Sequence, residues 1–123
     1  MRIFVSGPLT ATNYVEQSDN VERAMDVAAE LMQRGHQPFI PHLCQFWDDY
    51  LRDVDHGLPS YEFTYEWWME YCLTWLDQCQ ALYFIGPSPG SLREHERALH
   101  LNRIRTEGFP IFYQLSEVPT IDD

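Results

Sequence analysis

Short apolar runs alternate with stretches of helical period along this chain, and that alternation predicts strands and helices in turn. Residues 2–6 are a buried-strand run that stops at Ser6-Gly7-Pro8. Asp19-Asn20-Val21-Glu22 has the form of a capping box, and Val21, Ala24, Met25, Ala28, Leu31 and Met32 follow on one helical face. Gly35 is the expected terminator of that helix, and residues 37–40 read as a second strand stopped by Pro41. A short helix over residues 43–51 and a polar loop reaching residue 60 come next, then a long aromatic helix over residues 61–78. Residues 81–85 make a third strand, Gly86-Pro87-Ser88-Pro89-Gly90 a rigid turn, residues 91–106 a helix and residues 110–113 a last strand.

This order predicts an α/β fold: a single-domain, doubly wound (flavodoxin-like) parallel sheet of four to five strands with helices on both faces. Residues 1–113 form the expected domain and residues 114–123 a loose tail. Ligands of such sheets bind beyond the carboxyl ends of the strands. Two loops carrying Gly and Ser leave such ends, residues 6–10 and 86–91, so the working site is expected where they meet.

The totals narrow the choices. A chain of 123 residues suits one domain, and 45% hydrophobic residues suffice for a core. Nineteen acidic residues against eight basic ones give a net charge of −11, which repels a nucleic acid polymer and an anionic membrane. No run of about 18 apolar residues is present, and the start of the chain lacks the pattern of a signal peptide. A cytoplasmic protein is expected. The cysteines, Cys44, Cys72 and Cys79, are odd in number and make a poor disulfide framework. The histidines, His36, His42, His56, His95 and His100, show no ligand spacing, so they read as ordinary surface or core residues. No metal or organic cofactor is expected.

Ser91-Leu92-Arg93-Glu94 is itself a capping box, in which Ser91 caps the last long helix and Glu94 reaches back to it. A carboxylate in that first turn also stands over the mouth of the crevice. Ser88 with the N–H groups of Gly90 and Ser91 is an anion-binding turn or a plain strand-to-helix turn. Trp47, Phe46 and Tyr50 suit either core packing or stacking on a base.

Phe4-Val5-Ser6-Gly7-Pro8-Leu9-Thr10, Gly35-His36-Gln37-Pro38-Phe39-Ile40-Pro41-His42-Leu43, Trp75-Leu76 with Cys79, and Ser88-Pro89-Gly90-Ser91-Leu92-Arg93-Glu94 stand in an order that resembles a known family. It is the nucleoside 2-deoxyribosyltransferase superfamily, in its small branch related to deoxynucleoside 5′-monophosphate N-glycosidases. The resemblance covers nearly the whole chain. It implies that Glu94 is the nucleophile forming a covalent glycosyl ester. It implies that Phe4, Ser6, Gly7, Pro8, Ser88, Gly90 and Ser91 surround the sugar and its 5′ end; Trp47, one of the aromatics near the crevice, is a candidate to stack on the base. Serine at position 88, six before the nucleophile, leans towards a 5′-phosphate, because an acid there would repel one. Two residues depart from the family pattern. Phe4 replaces a tyrosine, and Cys72 stands in place of the aspartate that helps protonate the leaving base. A thiol with pKa near ~8.5 can donate that proton, and Asp48, Asp49 or Glu70 are the alternative acids.

The expected function is cleavage and re-formation of the N-glycosidic bond of 2′-deoxynucleosides. Alternatives are a (deoxy)nucleoside 5′-monophosphate N-glycosidase and a non-catalytic nucleotide-binding protein. The expected partner is a small-molecule nucleoside or nucleotide. A homo-oligomer is expected from the aromatic helix.

Overall fold

The computed structural model describes residues 1–9, 13–53 and 63–121. Among the described residues four strands and four α-helices follow one another as β1 (Arg2–Ser6), α1 (Tyr14–Gln33), β2 (Gln37–Phe39), α2 (Cys44–Asp53), α3 (Tyr65–Leu76), β3 (Ala81–Phe84), α4 (Pro89–Ile104) and β4 (Ile111–Phe112). The 3-10 turns Pro41–Leu43 and Leu115–Glu117 precede α2 and follow β4. The expected polar loop through residue 60, the expected helix start at Tyr61, and Thr10 lie outside the described residues.

The sheet is wholly parallel in the order β2-β1-β3-β4, which is a flavodoxin-like order. Side chains on a strand alternate between faces, and β1 shows the consequence. Ile3 and Val5 pack with Ala24, Ala28 and Leu31 of α1 and with Ala81 and Tyr83. Phe4 points the other way, into a second core with Cys72 and Leu76 of α3, Leu82, and Ala98 and Leu101 of α4. The expected two-faced packing is therefore present. β2 and β4 are the two edges. β2 is three residues long with Pro38 at its centre, and β4 is two residues long and follows Pro110.

Several boundaries move. α1 starts seven residues before Val21, at Tyr14, because Asn13 caps it by accepting the Glu16 N–H at 2.9 Å. Its buried stripe is Val21, Ala24, Ala28 and Leu31, while Met25 and Met32, expected on that face, are exposed. The helix ends at Gly35, as expected, with φ of 91°, a conformation in which a side chain is strained. The described part of the expected loose tail, residues 114–121, is tied to the domain. Arg34 donates to the carbonyls of Leu115 and Val118 at 2.6 and 3.1 Å, His36 Nε2 donates to Pro119 O at 2.6 Å, and Val118 is buried beside α1.

α3 is held to α4 on the surface by Arg93 with Glu66 and by Arg97 with Asp77. Arg105, just past α4, donates to the carbonyls of Asp77 and Cys79 beyond the end of α3. Exposed ion pairs contribute roughly 0–1 kcal/mol each, so they set the relative placement of the helices more than their stability.

Candidate active site

Ser88, not Ser91, caps α4: its Oγ accepts the Ser91 N–H at 3.0 Å. Pro89 then occupies the first helical position, where its missing N–H costs nothing. Ser91 is turned inward and donates its hydroxyl proton to Gly86 O at 2.8 Å, stitching the turn to the helix. The expected capping box at Ser91 and Glu94 does not form. Moving the cap back by three residues puts Glu94 in the second turn, on the inward stripe Ser91, Glu94, Ala98 and Leu101.

A carboxylate on the buried face of a helix needs a partner. Ser6 supplies it. It is the next residue after Phe4 on the same face of β1, and its Oγ donates to Glu94 Oε1 at 2.7 Å. Glu94 is 5% exposed and Ser6 fully buried. Burial pushes the Glu94 carboxyl up to about 7, against which the Ser6 hydrogen bond acts by stabilising the ionised form. Near neutral pH the group is thus divided between acid and carboxylate.

Glu94 lies at the end of a cleft of about 230 Å³, just below the roughly 300–1,000 Å³ of most small-ligand pockets. The cleft opens past the carboxyl ends of β1 and β3, the point where strand order reverses. Gly7 and Leu9 form one wall, and Ser88, Gly90 and Ser91 form another. Cys44 and Asp48 of α2 face Trp68, Met69 and Cys72 of α3 across the remainder. A Cβ on Gly7 would stand 2.9 Å from Ile85 Cβ, so only glycine lets the β1 loop lie this close to the end of β3.

The polar groups of the cleft are few and well held. Asp48 accepts the indole N–H of Trp68 at 2.8 Å and the Nε–H of Arg52 at 3.0 Å. The side-chain interaction with Cys44, then burial, then the neighbouring Cys44 and Glu94 charges hold Cys72 far above the ordinary thiol range. The interaction with Cys72 draws Cys44 down, with burial opposing. His42 Nε2 donates to Pro8 O at 3.1 Å and fixes the β1 loop. Burial keeps its pKa below the usual histidine value, and its Nδ1 has no hydrogen-bond partner among the described residues.

Gly7, Cys72, Ser88, Gly90, Ser91 and Glu94, all expected at the site, come together on this cleft. Ser6 reaches it only through Glu94, and Pro8 only through the carbonyl that holds His42. Phe4 does not line it. It is fully buried and stacked on Phe39, with ring centroids 5.4 Å apart, because it sits one pleat deeper than Ser6 and under the helices. Trp47 does not line it either. It stands over a separate shallow hollow with Phe39, Leu43 and Tyr71, its ring edge-on to Trp68 and Tyr71 of α3. His42, Trp68 and Met69 are cleft residues that the pattern of the sequence did not single out. Asp48, one of the acids that could take the place of Cys72 as proton donor, lines the cleft as well.

Compared with known proteins, the sequence matches no family model and no curated protein. A solved chain from the characterization of the 2-deoxyribosyltransferase of the psychrotolerant bacterium Bacillus psychrosaccharolyticus does match in structure. Its TM-score is 0.53 at 17% identity, and the match covers 99% of this chain and 93% of that one. At that identity the likeness is one of architecture: this chain has the fold of a 2-deoxyribosyltransferase.

Proposed function

We propose that this chain is a nucleoside 2-deoxyribosyltransferase-like enzyme, which cleaves and re-forms the N-glycosidic bond of 2′-deoxynucleosides by double displacement through Glu94. The observation that carries this reading is one buried carboxylate on the inward face of α4, bonded to Ser6 and open to a cleft at the strand-order reversal. Groups with strongly perturbed ionisation in a cleft mark functional sites. The fold of the 2-deoxyribosyltransferase from Bacillus psychrosaccharolyticus supports the same chemistry.

In this reading the ionised Glu94 attacks C1′ as the bond from C1′ to the base nitrogen breaks, giving a glycosyl ester. Cys72 gives its thiol proton to the departing base. An incoming base then attacks C1′, Glu94 departs as carboxylate, and the proton lost by that base returns to Cys72. Gly7, Ser88, Gly90 and Ser91 hold the sugar and its 5′ end. The chain works as a homo-oligomer, because α3 exposes Tyr65, Trp67 and Trp75.

A second reading is hydrolysis of (deoxy)nucleoside 5′-monophosphates, with water resolving the ester. Its support is the Ser88 hydroxyl at the start of α4, on the cleft wall, a place suited to an anion. Both are tested by incubating the protein with a deoxynucleoside, or its 5′-monophosphate, and a second free base. Mass spectrometry of the quenched protein should show a deoxyribosyl adduct on Glu94, and the products a new nucleoside. Free sugar phosphate alone selects the hydrolase. Ligand binding with no base release under any condition removes both and leaves a nucleotide-binding protein.

A further inference from the structure

The wall that α2 gives to the cleft carries a fixed acceptor. Asp48 lines the cavity together with Arg52 of the same helix, and Trp68 and Met69 of α3 stand opposite. Its side chain is 14% exposed. One carboxylate oxygen accepts the indole N–H of Trp68 at 2.8 Å, and the other accepts the Nε–H of Arg52 at 3.0 Å. Trp68 is in turn held edge-on by the rings of Trp47, Trp67 and Tyr71, at centroid distances of 5.3, 5.0 and 5.8 Å. A carboxylate gripped by donors from two helices has little freedom to turn. Its place on the wall is set before any ligand arrives, which is what a recognition group needs.

We propose that Asp48 is a specificity-determining residue that reads the nucleobase. It accepts a hydrogen bond from an exocyclic amino group, so the site takes amino-bearing bases such as cytosine and adenine and rejects their oxo counterparts, uracil and hypoxanthine. This names the substrate class of the proposed reaction and rests on that reading. With C1′ at Glu94 and the 5′ end against Ser88, Gly90 and Ser91, the part of the cleft left for the base is the one between α2 and α3. Asp48 stands there.

The chemistry sets the sign of the preference. A carboxylate ion-paired with arginine accepts hydrogen bonds and offers none. Facing an amino group, it gains a charge-assisted bond. Facing an oxo group at the same ring position, it meets a second acceptor, and both lose water with nothing in return. The pairing of a carboxylate with the cytosine amino group is also used by proteins that read that base in DNA. In this role Asp48 is an acceptor only, and the leaving base takes its proton from Cys72 as above.

The test is calorimetric titration of the full chain carrying Glu94→Gln, which blocks turnover. The ligands are 2′-deoxycytidine against 2′-deoxyuridine, 2′-deoxyadenosine against 2′-deoxyinosine, and the 5′-monophosphates of each. Within each pair the amino member should bind about 10-fold tighter or more. Adding Asp48→Asn keeps an oxygen for the Trp68 indole and presents an amide N–H to the base. The preference should then vanish or turn towards the oxo member. A side chain that only ties α2 to α3 would not respond to the identity of the base. Equal affinities within the pairs, tighter binding of the oxo members, no binding of any of these compounds, or a preference that Asp48→Asn leaves unchanged would overturn the proposal. The ratios before Asp48→Asn need no folded variant at position 48, so they decide on their own. Base release by the chain with Glu94 intact is followed separately. An amino preference in binding with no release sinks the enzymatic reading and leaves Asp48 as the reader of the base. Release with equal affinities does the reverse.

Discussion

Replacing Glu94 with glutamine should stabilise this protein at alkaline pH and do nothing at acid pH. The folded chain holds the Glu94 proton up to about 7, whereas a free glutamate gives it up near 4.5. Below 4.5 both folded and unfolded chains carry the proton, and its burial has no ionisation cost. Between 4.5 and 7 the unfolded chain ionises and the folded one does not, so stability falls as pH rises. Above 7 both are ionised and the whole cost stands. The separation is about 2.5 pH units, and at 1.36 kcal/mol for each it amounts to about 3 kcal/mol. That is a large share of the roughly 5–15 kcal/mol that holds a domain folded. Glutamine is neutral throughout, fills nearly the same space, and offers Ser6 the same kind of oxygen. Glu94→Gln should therefore exceed the wild type by about 3 kcal/mol at pH 8, and the gap should close near pH 4. Urea unfolding of both proteins at the two pH values measures it. Taking the difference between them cancels the background of a chain with net charge −11. Equal stability at pH 8, or a gap that persists unchanged at pH 4, would refute the claim that burial holds the proton on this side chain.

Two other outcomes are expected. Ser6→Ala removes the hydrogen bond that favours the Glu94 carboxylate, and such bonds to charged groups are worth about 1.5–3 kcal/mol. The midpoint of the rise in base release with pH should then move up from about 7 by roughly 1–2 pH units; a midpoint that stays put would detach Ser6 from the nucleophile. Light scattering should give the wild type a mass above the 14.6 kDa of one chain, and Trp75→Glu, at a side chain 45% exposed, should lower it. A wild type that scatters as one chain rules out the association.

The sheet was legible because Ile3, Val5, Ala81 and Leu82 sit in runs that are fully buried, and such runs leave an unambiguous trace. The start of α1 was not. Its first turns carry Tyr14 and Val15 outward, 78% and 68% exposed, so the apolar period begins only at Val21, and the real cap, Asn13, lies outside it. At α4 the cap was read at Ser91, and Pro89 as the first helical residue is the signal that decides for Ser88 instead. That choice decides whether Glu94 ties down its own helix or faces a cleft. The tail is held through backbone carbonyls by Arg34 and His36, which no residue pattern displays. At the site, Glu94 was visible as the last residue of Ser91-Leu92-Arg93-Glu94, beside the crevice mouth, and through the family resemblance. Which way Trp47 faces, and the place of His42 beneath the β1 loop, depend on how α2 docks, and a one-dimensional pattern carries no such information.

The way the sheet stops at its two margins limits how copies of this chain can meet. Pro38 lacks the N–H that a neighbouring strand would need at the middle of β2, and β4 offers only two residues for pairing. A ribbon of strands running from one subunit into the next is blocked at both borders. Association is left to the helical flanks, where an assembly can change without disturbing the hydrogen-bonded ladder that supports Ser6.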